Sequence, residues 1–153
     1  MTDFTTATGP DGVAVITWDV PGRSMNVLSY TGLAELEAEF DAALAGPAVK
    51  GIVITSAKKD FAGGMDLNII ARMKTDAGDD PARGLFDGIM GMHRILRKIE
   101  RAGTDPKTLK GGKPVAAALP GTALGIGLEI PLACHRIFAA DNPRAKIGLP
   151  EIM

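Results

Sequence analysis

The pattern of apolar positions predicts two strands joined by a helix near the start of the chain. Residues 13–19 are rich in β-branched side chains and follow an Asp-Gly turn pair, which is typical of a strand. Ser29 is a suitable N-cap for a helix that runs to about Ala45, and a buried strand is predicted over 51–55. This β-α-β order favours parallel pairing, with the helix as the crossover.

The later apolar segments alternate between helical and strand-like patterns. In chain order they predict a short helix over 67–74, a long helix over 84–102, a strand over 114–119, a helix around 128–134 and a strand over 136–140. Polar loops are predicted for 75–83, which contains Pro81, and for 103–113. Because no internal repeat and no linker is visible, a single α/β domain is expected.

Composition narrows the class of protein. Apolar residues make up 46% of the 153 residues, and 17 Lys and Arg against 18 Asp and Glu give a net charge of -1. Near-neutral charge argues against binding to nucleic acid or to an anionic membrane. A single cysteine excludes a disulfide framework, and no signal peptide or membrane span is visible. We therefore expect a soluble, cytoplasmic protein.

Common ligand-binding motifs are missing. Gly125 and Gly127 do not complete a dinucleotide-binding fingerprint, since residue 130 is Ile. The chain has no P-loop motif and no G-x-S-x-G nucleophile elbow. His93 and His135 lack the carboxylate pattern of a metal site, so no metal is expected.

Two glycine-containing turns, residues 61–66 and 121–129, each follow an apolar strand and lead into a helix. The start of a helix presents unpaired N–H groups and the positive end of the helix dipole. If the two turns converge, two backbone N–H groups can bind one oxygen, which is an oxyanion hole suited to a thioester carbonyl. The alternative is that these glycines only permit tight turns between strand and helix.

Two carboxylates lie in apolar surroundings near these turns. Glu129 belongs to the apolar stretch 128–134, and Glu151 follows Pro150 in the stretch 147–153. Two partly buried carboxylates beside an oxyanion hole could hold a water molecule and move protons. Alternatively, Glu129 pairs locally and Glu151 is a frayed terminal residue.

Four segments together resemble the crotonase superfamily, the enoyl-CoA hydratases and isomerases. They are residues 21–29, 59–66, 113–129 and 147–151, in the order that the family has them. The greatest similarity is to the hydratase portion of fatty-acid oxidation multifunctional α-subunits. The resemblance implies an α/β fold, a spiral of ββα units, with residues 1–153 forming the N-terminal part of one domain that is incomplete at its C-terminus. It also implies acyl-CoA substrates and a homo-oligomer, a trimer or hexamer.

The resemblance also assigns residues. It implies that the backbone N–H groups of Met65 and Ile126 form the oxyanion hole, with Ile126 standing where the family commonly has Gly, so that its side chain could crowd the thioester. Glu129 and Glu151 match the two catalytic carboxylates of hydratases. The residues implied in contacts with the CoA thioester are Met25, Val27, Ala62, Gly64, Asp66, Leu67, Gly125 and Pro150. No cofactor is implied, because coenzyme A is part of the substrate.

Three functions follow as hypotheses. The first is an enoyl-CoA hydratase of fatty-acid β-oxidation, which adds water across the 2,3 double bond of a 2-enoyl-CoA. The second is an enoyl-CoA isomerase. The third is a non-catalytic fragment that serves as an acyl-CoA-binding or oligomerisation module, an interpretation favoured by the apolar ending at Met153. In that case the surface around the strand 136–140 is expected to be exposed and apolar.

Overall fold

The computed structural model describes residues 2–69 and 80–150. Its main feature is a five-stranded sheet in which the first strand pairs antiparallel with the second and all later pairs are parallel. In spatial order the strands are β1 (Phe4–Thr8), β2 (Val13–Trp18), β3 (Gly51–Ser56), β4 (Val115–Leu119) and β6 (Arg136–Ala139). Two short strands, β5 (Ala123–Leu124) and β7 (Ile147–Gly148), form a separate parallel pair.

The first helix, α1 (Tyr30–Ala45), begins as predicted. The Ser29 hydroxyl accepts a hydrogen bond from the Gly32 N–H at 2.9 Å, which satisfies one of the unpaired donors at the start of the helix. Because β2 and β3 are parallel and consecutive, α1 is the crossover between them, and the predicted β-α-β unit is confirmed.

The second helix, α2 (Pro81–Arg101), begins earlier than predicted. Asp80 caps it by accepting the Arg83 N–H at 3.1 Å. The predicted loop over 75–83 is therefore wrong at 81–83, since proline has no N–H to lose in the first turn and favours that position. Helical residues are present at 67–69 as predicted, whereas 70–79 lie outside the described residues.

The core fills one face of the sheet. Alternate residues of β2, β3 and β4 are buried there, and Trp18 stacks on Phe4 with ring centroids 5.1 Å apart. Helix α1 contributes Phe40 to this core, and α2 contributes Ile99. The third helix, α3 (Ile126–Ala133), also packs into it. The residues on the opposite face of the sheet remain partly exposed.

Candidate functional site

The two glycine turns are in direct contact. The N–H groups of Phe61 and Ala62 both donate to the Thr122 carbonyl, at 2.8 and 3.1 Å. The Leu124 N–H donates in return to the Ala62 carbonyl at 3.0 Å. The first turn, 61–66, is thus joined to the second, 121–129, through backbone hydrogen bonds that span about sixty residues of sequence.

Glycine is required where the turns approach most closely. A Cβ atom on Gly127 would lie 2.7 Å from the Ala62 Cβ, and one on Gly121 would lie 2.5 Å from the Lys59 carbonyl oxygen. Both distances are shorter than the normal contact between carbon and its neighbours, about 3.5–4.0 Å. These two glycines therefore bring the start of α3 against the first turn.

Asp60 strengthens this junction with its side chain. Its Oδ1 accepts the Thr122 N–H at 2.8 Å. This backbone hydrogen bond lowers the pKa of the Asp60 carboxyl below its ordinary value, although partial burial opposes the shift. The sequence patterns did not single out Asp60, because its partner is distant in the chain.

The first turn is also held by the segment 25–28. The Gly63 N–H donates to the Asn26 carbonyl at 2.8 Å, and the Leu28 N–H donates to the Gly64 carbonyl at 2.9 Å. Gly64 has a φ of +109°, which other residues rarely adopt. The N–H of the next residue, Met65, donates to no other described residue.

Asn26 is a structural residue of this site that the sequence patterns did not single out. It is fully buried, and its side-chain oxygen accepts the Val20 N–H at 2.9 Å. Its amide nitrogen lies within hydrogen-bond distance of the carbonyls of Trp18 and Phe61 and of the Ser56 hydroxyl. One side chain therefore ties the ends of β2 and β3 to the first turn. The sequence feature that could have indicated this role is a single Asn between the predicted strand and the N-cap of the predicted helix.

The second turn presents the other candidate donor. Gly125 precedes α3 with φ 53° and ψ −130°, and its carbonyl accepts the N–H groups of Leu128 and Glu129. The N–H of Ile126, the first residue of α3, donates to no other described residue. The Ile126 side chain is only 6% exposed and packs in the core, so the expected crowding of a ligand has no support in this structure.

The candidate carboxylate Glu129 lies in the first turn of α3 and is partly exposed. Its side chain makes no hydrogen bond and no ion pair with any residue in the ranges 2–69 and 80–150. The dipole of α3 favours a negative charge at this end of the helix. Glu129 is therefore placed one helical turn after the Ile126 N–H.

The segment that leads to the second candidate carboxylate runs beside the second turn. Strand β7 pairs with β5, and the Gly125 N–H donates to the Gly148 carbonyl at 3.1 Å. Pro150 follows and is exposed. Glu151 lies outside the described residues. Direct hydrogen bonds thus connect the three segments that carry Met65, Ile126 and Pro150.

The other residues implied in CoA contacts differ in accessibility. Met25 and Val27 are partly buried, and Leu67 is 77% exposed. Asp66 pairs with Arg23 at 3.0 Å and accepts the N–H of residue 68 at 2.9 Å, so it caps the helical residues that follow. Gly64 and Ala62 are buried, and both backbone polar groups of Ala62 are used in the junction.

Two further findings concern reactivity. Burial raises the pKa of the Cys134 thiol to about 12, which argues against a nucleophilic role. Within the described residues, no three His, Cys, Asp or Glu side chains lie close enough together to hold a metal ion.

Comparison with known proteins shows which proteins the chain is similar to. No family model matches the chain. It is 35% identical over 143 residues, 93% of its length, to the fatty acid oxidation complex subunit alpha of Shewanella sp. (strain W3-18-1). It is 38% identical over 144 residues to the peroxisomal fatty acid beta-oxidation multifunctional protein MFP2 of Arabidopsis thaliana. An enoyl-CoA hydratase/isomerase from Xanthobacter autotrophicus Py2 superposes on 99% of the chain, with a TM-score of 0.79 and 27% identity.

The chain is similar to proteins of the crotonase superfamily. Its fold is therefore the crotonase fold, as the sequence resemblance implied. The chain spans 18% of the length of these two curated relatives, and about half of the length of the solved crotonase structure. In the part of the chain that the structure describes, no helix is both long and apolar enough to cross a membrane.

Proposed function

We propose that the junction of the two turns is the active site of an enoyl-CoA hydratase, which adds water across the 2,3 double bond of 2-enoyl-CoA thioesters in fatty-acid β-oxidation. The observation that carries the proposal is the direct contact between two turns whose Met65 and Ile126 N–H groups have no partner among the described residues. The names of the relatives, which refer to fatty acid oxidation and to enoyl-CoA hydratase/isomerase, support the substrate class.

In this proposal the thioester carbonyl oxygen accepts hydrogen bonds from the N–H groups of Met65 and Ile126. As water attacks C3, negative charge moves to that oxygen to give an enolate. Donors already in place, together with the positive end of α3, stabilise this charge. Losing one such donor typically raises the barrier by about 2.7–4 kcal/mol.

The two carboxylates move the protons. Glu129 accepts a proton from the water whose oxygen bonds to C3, and Glu151 donates a proton to C2 as the enolate collapses. The product is a 3-hydroxyacyl-CoA, and the atoms of one water are conserved in it. Since no electrons are transferred and the enolate is held by N–H groups, the reaction as proposed requires neither a metal nor a redox cofactor.

The substrate and the setting complete the proposal. The CoA portion lies along residues 25–27, which pack against the first turn, and along residues 64–67, at the end of that turn. The chain supplies the N-terminal part of one crotonase domain, acts in the cytoplasm and assembles into a trimer or hexamer. The similarity to the multifunctional α-subunits supports the pathway, and the family resemblance supports the assembly.

The test is a hydration assay on Glu129→Gln. A four-carbon 2-enoyl-CoA loses its conjugated thioester absorbance when it is hydrated, and the variant should lose nearly all turnover because Gln cannot accept a proton. Glu39→Gln on α1 is the matched control and should retain wild-type turnover, with both folds checked by circular dichroism. Near-native hydration by Glu129→Gln would refute the proposal. Conversion of a 3-enoyl-CoA without hydration would favour the isomerase, and acyl-CoA binding without turnover would favour a binding module.

A further inference from the structure

A buried amide lies beside the first turn. Of the polar and charged residues that the structure describes, Asn26 alone is fully buried. Its Oδ1 accepts the Val20 N–H at 2.9 Å. Its Nδ2 lies 2.9–3.0 Å from three oxygens, those of the Trp18 and Phe61 carbonyls and of the Ser56 hydroxyl. A buried amide with this many partners contributes through its hydrogen bonds rather than through packing.

These partners fix the orientation of the amide. A backbone N–H only donates and a carbonyl only accepts, so the amide oxygen must face Val20 and the amide nitrogen must face Phe61. The Ser56 hydroxyl has one hydrogen, which it donates to the Asp60 carbonyl at 2.8 Å, so it can only accept from Asn26. Both polar atoms of the Asn26 side chain are therefore engaged with neighbouring segments, and neither is available to a substrate.

Asn26 holds the first turn at two points. Its side chain reaches the Phe61 carbonyl at the start of the turn, and its own backbone carbonyl accepts the Gly63 N–H at 2.8 Å. Two residues after Asn26, a parallel bridge pairs Leu28 with Met65. The Met65 N–H takes no part in the hydrogen bonds of this bridge. The position of that N–H therefore depends on the segment that Asn26 anchors.

The same hydrogen bonds continue to the second turn. The Asp60 carbonyl accepts from the Ser56 hydroxyl, and the Asp60 Oδ1 accepts the Thr122 N–H at 2.8 Å. Because Thr122 belongs to the turn that carries Ile126, one network of hydrogen bonds connects both candidate donors to a single buried side chain.

We propose that Asn26 is a positioning residue for the hydration reaction, because its hydrogen bonds set the spacing between the Met65 and Ile126 N–H groups. It acts through the first turn and does not touch the substrate. The inference rests on the proposed function, in which these two N–H groups bind the thioester oxygen. Two donors stabilise one oxygen only when both are aimed at it, and a displacement of about 1 Å can lower the rate by about 100-fold.

The experiment measures how much the thioester carbonyl contributes to binding, by isothermal titration calorimetry with two ligands. Butyryl-CoA has this carbonyl, whereas S-butyl-CoA has a methylene in its place. The wild type should bind butyryl-CoA about 10-fold more tightly, which is the value of one or two net hydrogen bonds. Asn26→Ala should lose this preference while its affinity for S-butyl-CoA is unchanged. Its kcat/KM for hydration should fall by about 100-fold, more than its affinity for butyryl-CoA, because the N–H groups bind the enolate more strongly than the ground state.

Two further variants accompany Asn26→Ala. Ser56→Ala removes one acceptor of the amide and the link to Asp60, so it should lose part of the preference for butyryl-CoA. Phe40→Leu is the control for a loss of stability alone, because it leaves a cavity in the core at α1. It should lower the urea midpoint and keep the full preference. Circular dichroism checks that each variant is folded under the conditions of the assay.

The outcomes distinguish this inference from the proposed function. Loss of the preference in Asn26→Ala but not in Phe40→Leu supports the inference. A wild-type chain that shows no preference for butyryl-CoA would refute the proposed function, and the inference with it. A wild-type preference that persists in Asn26→Ala, or that Phe40→Leu loses equally, would overturn the inference and leave the proposed function in place. If Asn26→Ala does not fold, Ser56→Ala decides by the same criteria.

Discussion

Gly127 lies where the start of α3 packs against the first turn, and its replacement by alanine should lower activity more than stability. A Cβ there would stand 2.7 Å from the Ala62 Cβ and 3.1 Å from the Ala62 carbonyl oxygen. To restore an ordinary carbon–carbon contact, the turns must move apart by about 1 Å. Such overpacking typically costs about 1–3 kcal/mol, whereas Gly to Ala in a helix gains about 1 kcal/mol. We therefore expect a net loss of about 0–2 kcal/mol in the free energy of unfolding.

Activity should suffer more than stability. Because Met65 and Ile126 belong to the two turns that separate, a shift of about 1 Å between their N–H groups should lower hydration by about 100-fold. Urea unfolding and the hydration assay measure the two effects. Gly91→Ala on α2 is the control, since a Cβ there meets no atom within 4 Å, and it should keep full activity. Ala62→Gly in the Gly127→Ala background removes one of the clashing groups and should recover part of the activity. A Gly127→Ala variant that is as active as wild type and as stable as Gly91→Ala would refute this account of the junction.

Three further predictions rest on single side chains. Ile126→Gly, which the sequence alone would suggest is tolerated, should lower the free energy of unfolding by about 2–5 kcal/mol, because the side chain is buried in the core. Ile126→Val should lower it by only about 0.5–1.5 kcal/mol, and equal urea midpoints for the two variants would contradict this prediction. Asp60→Ala should lower the free energy of unfolding by about 1 kcal/mol. Because the pKa of Asp60 is lowered in the folded chain, this contribution is present above the ordinary pKa of 3.8 and is lost as the pH falls through the lowered pKa, so thermal melts of variant and wild type should converge in acid. Because its pKa is raised to about 12, Cys134 is a thiolate in only about one molecule in 10⁴ at pH 8. Mass spectrometry should therefore find that iodoacetamide alkylates Cys134 about 1,000-fold more slowly in the folded chain than in urea.

The sequence was most informative where a local pattern decides the structure. The β-branched residues of β2 and the cap at Ser29 act within a few residues, so both were visible. Strand β1 was missed because Phe4–Thr8 is mostly Thr and Ala and gains its structure from pairing with β2. Asn26 could not be assigned its role, since its partner Phe61 is brought to it only by the folded sheet.

The same distinction applies to the candidate site. The glycines of the two turns and the apolar setting of Glu129 can be read from the sequence, and the family resemblance adds Met65 and Ile126. The hydrogen bond from Thr122 to Asp60 and the contact of Gly127 with Ala62 cannot, because they join segments about sixty residues apart. The inward orientation of the Ile126 side chain is likewise a property of the packed core.

The junction also has a consequence for the growing chain. The partner of Ala62 is Leu124, which lies 62 residues later in the sequence. At about 5–20 residues per second, a ribosome needs roughly 3–12 s to make that stretch. For this interval the first turn has its neighbours at 25–28 but not the strand that completes the proposed site. A nascent chain stalled before Leu124 should therefore expose this turn to protease, and the turn becomes protected only after the second one has emerged.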